Sequence, residues 1–169
     1  RVEALLPEEG GWAVRTSRGA SERFDAAILA VPAAVAANLL PEGAITEALA
    51  RLPTTETAVV TLGYRAAQAT RPLDAHGYLN APGTGRGVSG CTWSSVKLEG
   101  RAPAGGLLLR AFVRGADVPP PGRSREPRLI EMATEDVAES LGLRTAPDLA
   151  RTSAWSVPVY RVGHGARVA

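Results

Sequence analysis

Glu56-Thr57-Ala58-Val59-Val60-Thr61-Leu62-Gly63-Tyr64 alternates along its whole length, with Thr57, Val59, Thr61 and Gly63 on one face and Ala58, Val60, Leu62 and Tyr64 on the other. A period of two marks a half-buried strand. Three further runs read as strands downstream: 77–79, 88–95 and 107–114, joined by turns rich in glycine and proline. That spacing favours antiparallel pairing.

Working outward, Ile130, Ala133, Val137 and Leu141 recur at intervals of three and four, which predicts a helix over 126–141 with Gly142 as its stop. A last strand is expected over 152–157. Upstream, Trp12 to Thr16 reads as a strand after the Gly10–Gly11 turn. Phe24-Asp25-Ala26-Ala27-Ile28-Leu29-Ala30-Val31 is apolar without alternation and reads as a strand buried on both faces. Pro32 then suits the first turn of a helix reaching Leu40, and a second helix is expected over 44–52, ended by Pro53. The fold class expected is α+β, a mostly antiparallel sheet flanked by helices.

Composition narrows the function. The 169 residues suit a domain of ordinary size, and 45% apolar with 21% charged residues is a globular balance. Nineteen basic residues against 17 acidic leave a net charge of +2, and the arginines are scattered among few aromatics, so no nucleic-acid partner is expected. The single cysteine, Cys91, allows no internal disulfide and fits a reducing compartment. The longest apolar run, Ala26 to Leu40, is broken by Pro32 and Asn38 and is too short to span a bilayer. No signal peptide is visible, and Arg1 in place of methionine suggests a natural start further upstream.

Several motifs tempt and fail. Gly85-Arg86-Gly87-Val88-Ser89-Gly90 matches G-x-G-x-x-G, but a strand-like run follows where a helix must face the phosphates, and no acidic residue lies about 20 positions on. It reads as a hairpin turn. Ser94-Ser95-Val96-Lys97 matches S-x-x-K, whose serine must open a helix, yet it falls at an expected strand end. His76, His164 and Cys91 have no metal-site spacing, and Cys91 reads as a small buried apolar residue rather than a thiol nucleophile. The residues alone show no self-contained catalytic constellation.

Three segments together nevertheless resemble one family, the protoporphyrinogen and coproporphyrinogen oxidases of the flavin amine-oxidase fold. The first is Phe24 through Ala33, similar to a family strand that ends in proline and returns the chain to the flavin domain. The second is Cys91-Thr92-Trp93-Ser94-Ser95, the turn Gly100-Arg101-Ala102-Pro103 and the run Leu107 through Val113. The third is Trp155-Ser156-Val157-Pro158-Val159-Tyr160-Arg161-Val162-Gly163-His164, similar to a family run ending P-Q-Y-x-V-G-H but with Val159 in place of glutamine. The third is the specific one, and the resemblance covers nearly the whole chain.

That resemblance implies noncovalent FAD and oxidation of a porphyrinogen, coproporphyrinogen or protoporphyrinogen, to the porphyrin with molecular oxygen as acceptor, in haem synthesis. It implies a division into part of an FAD domain over 1–40, a substrate domain over 41–150 and a return segment over 151–169. Val2 matches the position whose backbone meets the adenine, and Trp155 a tryptophan near the isoalloxazine. Leu79, Thr92 and Phe112 match positions whose side chains lie against the macrocycle, with Thr92 standing where some relatives carry leucine. The family's dinucleotide fingerprint would lie ahead of Arg1 and its closing flavin segment beyond Ala169, so residues 1–169 alone are expected to bind no FAD and to be inactive. A cytoplasmic protein is implied, with a peripheral place at the membrane left open. The alternatives are another flavin amine-oxidase relative, acting on an amine or carotenoid, and a non-catalytic porphyrin-binding module or remnant.

Overall fold

The computed structural model describes residues 1–168, in two compact units, Arg1–Thr54 with 157–168, and Thr55–Ser156. In the first unit β1 (Val2–Glu8), β2 (Gly11–Thr16) and β3 (Ser21–Phe24) form an antiparallel meander in the order β1-β2-β3. Gly10, at φ +71°, turns β1 into β2 in a conformation that a side chain would oppose. Leu5 and Ala13 are the buried positions of this sheet. Two short helices follow, α1 (Ala33–Leu39) and α2 (Ala44–Ala50). Pro32 stands at the start of α1, as its fixed φ suits.

The strand expected over 24–31 is corrected. β3 ends at Phe24, residues 25–31 have no regular structure, and Ile28 is 95% exposed. A strand without alternation needs a neighbour on both edges to use its backbone groups. Among the described residues nothing pairs with this run.

The second unit carries a five-stranded sheet in the order β5-β6-β7-β4-β8. Its strands are β4 (Thr54–Arg65), β5 (Gly77–Leu79), β6 (Val88–Trp93), β7 (Gly106–Arg114) and β8 (Leu149–Pro158). The pairs β5–β6, β6–β7 and β7–β4 are antiparallel, so the expected α+β class with a mostly antiparallel sheet is what the chain adopts. The long helix α4 (Arg125–Leu141) follows β7 and ends at Gly142 in the left-handed conformation, φ +67°. Ala58, Val60, Leu62 and Tyr64 of β4 and Leu107, Leu109, Ala111 and Val113 of β7 form one core with Leu129, Ala133, Val137 and Leu141 of α4. The alternation of β4 thus reports which face meets the helix. β8 begins three residues earlier than expected.

A second correction concerns Ser94–Lys97, expected as a strand end and found as the one-turn helix α3, with the chain ending in α5 (His164–Val168). Here the N–H of Leu98 donates to the carbonyl of Ser94 at 3.0 Å, while Ser95 Oγ accepts from the N–H of Leu108 at 2.9 Å. The backbone closes a turn because a side chain takes over the ladder bond. The S-x-x-K pair therefore does lie on a helix, but Ser94 is buried and Lys97 exposed, so the two do not share a site.

Candidate functional site: the helix-free face of the sheet

The register of the second sheet fixes which side chains stand together opposite α4. Thr92 of β6 pairs with Arg110 of β7, which pairs with Thr61 of β4. One pleat along, Leu79 of β5 pairs with Gly90, Gly90 with Phe112, and Phe112 with Val59. On the other side of the Arg110 row, Leu108 pairs with Gly63. Strand geometry places these rows roughly 7 Å apart. An apolar row, a row of hydroxyls around one cation, and a second apolar row therefore lie side by side.

Glycine keeps parts of this face flat. A Cβ on Gly90 would stand 2.6 Å from the carbonyl oxygen of Tyr78 and 2.8 Å from Leu79 Cδ2, so Leu79 leans over bare backbone. A Cβ on Gly63 would stand 3.0 Å from Leu149 Cβ, which puts Leu149 on the same face. Ala150 packs on the opposite, helix-covered core. Alternation from Leu149 then carries Trp155 to the helix-free face.

The candidates fall as follows. Leu79 is 84% exposed, while Thr92 and Phe112 are half-buried, and all three share this face with Trp155, itself exposed. Val2 belongs to the other unit. It sits on the edge strand β1, whose outer backbone groups have no sheet partner among the described residues.

Sequence reasoning passed over Arg110. Its guanidinium carbon stands 5.9 Å from the centroid of the Phe112 ring, in cation–π range. The signal was a charge set between Leu108 and Phe112 in the otherwise apolar run from Leu107 to Val113. Glu56 is the one acidic residue in the five strands, and it pairs with Arg125 of α4 on the covered face. The helix-free face thus carries Arg110 and Arg114 of β7 with no strand carboxylate among them.

A polar cluster on the other face was also missed. Asp136 of α4 is buried and accepts from Tyr78 Oη, from Asn80 Nδ2 at 2.8 Å and from Arg86 at 3.4 Å. Burial, then the bond to Asp136, pushes the Tyr78 phenol up from its ordinary range. These contacts tie β5 and the 80–87 turn to the helix. Gly85 to Gly90 leads into β6 and not into a helix, so the glycine pattern builds a turn. Burial also pushes the Cys91 thiol up to about 12, which leaves it protonated and without nucleophilic character at neutral pH.

A largely apolar wall with a few polar groups is the kind of surface that takes a small organic ligand. The model of the flavin-containing amine oxidoreductase family matches residues 1–167, and the chain belongs to that family. A coproporphyrinogen III oxidase of Propionibacterium freudenreichii subsp. freudenreichii is 35% identical over 98% of this chain and 31% of its own length. The human protoporphyrinogen oxidase is 31% identical over 94% of this chain and 35% of its own. A solved structure from Exiguobacterium sp. 255-15, named as a proposed protoporphyrinogen oxidase, superposes with a TM-score of 0.74 at 25% identity, covering 98% of this chain and 36% of that one. The cyclohexylamine oxidase of Brevibacterium oxydans IH-35A shares the fold, with a TM-score of 0.66 at 14% identity over 99% of this chain and 39% of its own. The chain spans about a third of the length of the curated relatives it matches. No helix among the described residues is long and apolar enough to cross a membrane.

Proposed function

We propose that this chain is part of a cytoplasmic FAD-dependent oxidase that converts coproporphyrinogen III or protoporphyrinogen IX to the porphyrin, with oxygen as the acceptor, as a step of haem synthesis. The observation that carries the reading is the gathering of Leu79, Thr92 and Phe112 on one glycine-flattened face, together with relatives named for porphyrinogen oxidation. FAD, when bound, supplies the hydride-accepting chemistry. The chain's own residues bind and orient. Leu79 and Phe112 offer apolar surface to the macrocycle and displace water from it, and Thr92 adds a hydroxyl at the edge of that surface. Trp155 lies on the same face and is assigned to the flavin ring. The backbone of Val2, on a free sheet edge, is assigned to the adenine end. In this reading residues 1–40 and 151–169 serve the flavin domain, and residues 41–150 the substrate domain.

The test uses the protein expressed from its complete reading frame and loaded with flavin. Mixed anaerobically with either porphyrinogen, its flavin absorbance is expected to bleach, and admitting air is expected to restore the absorbance and yield porphyrin fluorescence. If an amine bleaches the flavin and neither porphyrinogen does, the substrate assignment is wrong and an amine oxidase takes its place.

A further inference from the structure

Arg110 is an exposed arginine of the helix-free face. It stands in the centre of the helix-free face, on β7, with β6 on one side and β4 followed by β8 on the other. Thr92 and Thr61 flank it in register, and the apolar rows of Phe112 and Leu108 bound it along the strand. Among the described residues its guanidinium enters no ion pair. The ring of Phe112 lies beside it, 5.9 Å from centroid to guanidinium carbon. An unpaired cation held over an apolar wall is suited to one kind of ligand, a flat apolar body bearing an anion at its edge.

We propose that Arg110 binds a carboxylate side chain of the macrocycle while Phe112 and Leu79 take its apolar body, making Arg110 a specificity-determining residue for the number and position of substrate carboxylates. This rests on the proposed porphyrinogen substrate. The chemistry is recognition only. Guanidinium presents a planar fork to a carboxylate, and Thr92 and Thr61 have hydroxyls in reach of the same row. A substrate with a propionate at that corner gains a charge-assisted pair; one with a vinyl group or an ester there does not. Discrimination follows from the charge-assisted pair that the exposed guanidinium makes with a carboxylate and cannot make with an ester or a vinyl group.

The experiment measures equilibrium binding of coproporphyrin III and of its tetramethyl ester by fluorescence, beside turnover of coproporphyrinogen III, in the wild-type flavin-loaded protein and in Arg110→Gln and Arg110→Lys. Arg110→Gln is expected to weaken coproporphyrin III by about 10- to 100-fold, to leave the ester within about twofold, and to act on KM more than on kcat; Arg110→Lys recovers part of the loss. Equal weakening of acid and ester, or unchanged binding of the acid, overturns the inference even if the wild type oxidises porphyrinogens. Arg110-dependent binding of the acid by a protein that oxidises neither porphyrinogen upholds the inference and overturns the oxidase reading.

Discussion

At the scale of single residues, the clearest divide is between the side chains that close the core and those left facing away from it. Cys91 belongs to the first group. Its folded-state value of about 12 lies above the ordinary 9.0, so its contribution to stability is complete below pH 9 and fades as pH rises from there toward 12. Raising pH through that window is expected to lower the denaturant midpoint less steeply in Cys91→Ala than in wild type. Native protein at pH 8 is expected to react with a thiol reagent only at the rate of unfolding; rapid labelling of Cys91 would contradict its burial. Asp136 is the second case. Asp136→Ala leaves Tyr78, Asn80 and Arg86 without their acceptor and is expected to cost about 2–4 kcal/mol in chemical denaturation. Cys91 as a buried, inert residue was legible from its solitude in the sequence. The Asp136 cluster was not, because its donors lie 50 or more positions away and only the fold brings them to α4.

Elements follow their sequence patterns where neighbours agree with them. α4 and β4 were readable because periods of 3.6 and 2 over long runs admit one answer each. Residues 24–31 misled because apolar content without alternation states a need for neighbours on both sides and cannot supply them. Ser94–Lys97 misled because the N–H of Leu108 donates to Ser95 Oγ and the backbone ladder ends at Trp93. Two substitutions test the element-level account. Leu109→Ala, at a fully buried position of β7 against α4, is expected to cost about 2–5 kcal/mol. Gly142→Ala meets both the left-handed φ of +67° and a clash of the new Cβ with Thr70 Oγ1. It is expected to cost about 1–2 kcal/mol or more; a neutral result would mean that the helix ends differently.

In the whole molecule, the proposed function gives the sheet's two faces different tasks. One face and α4 make the second unit stable; the other, with Leu79, Gly90, Thr92, Arg110 and Phe112, is assigned to a tetrapyrrole. The family was legible in the sequence through the 155–164 run and the paired strands around Thr92 and Phe112, and the match over residues 1–167 agrees with it. That Leu79, Thr92 and Phe112 share a face was not legible, since register across three strands is set by tertiary pairing. The most direct measurement is a crystal structure of the flavin-loaded protein, expressed from its complete reading frame, with coproporphyrin III bound. The macrocycle is expected against the helix-free face, in contact with Leu79 and Phe112 and with a carboxylate at Arg110. A macrocycle bound elsewhere, with that face making no contact to it, would contradict the central claim.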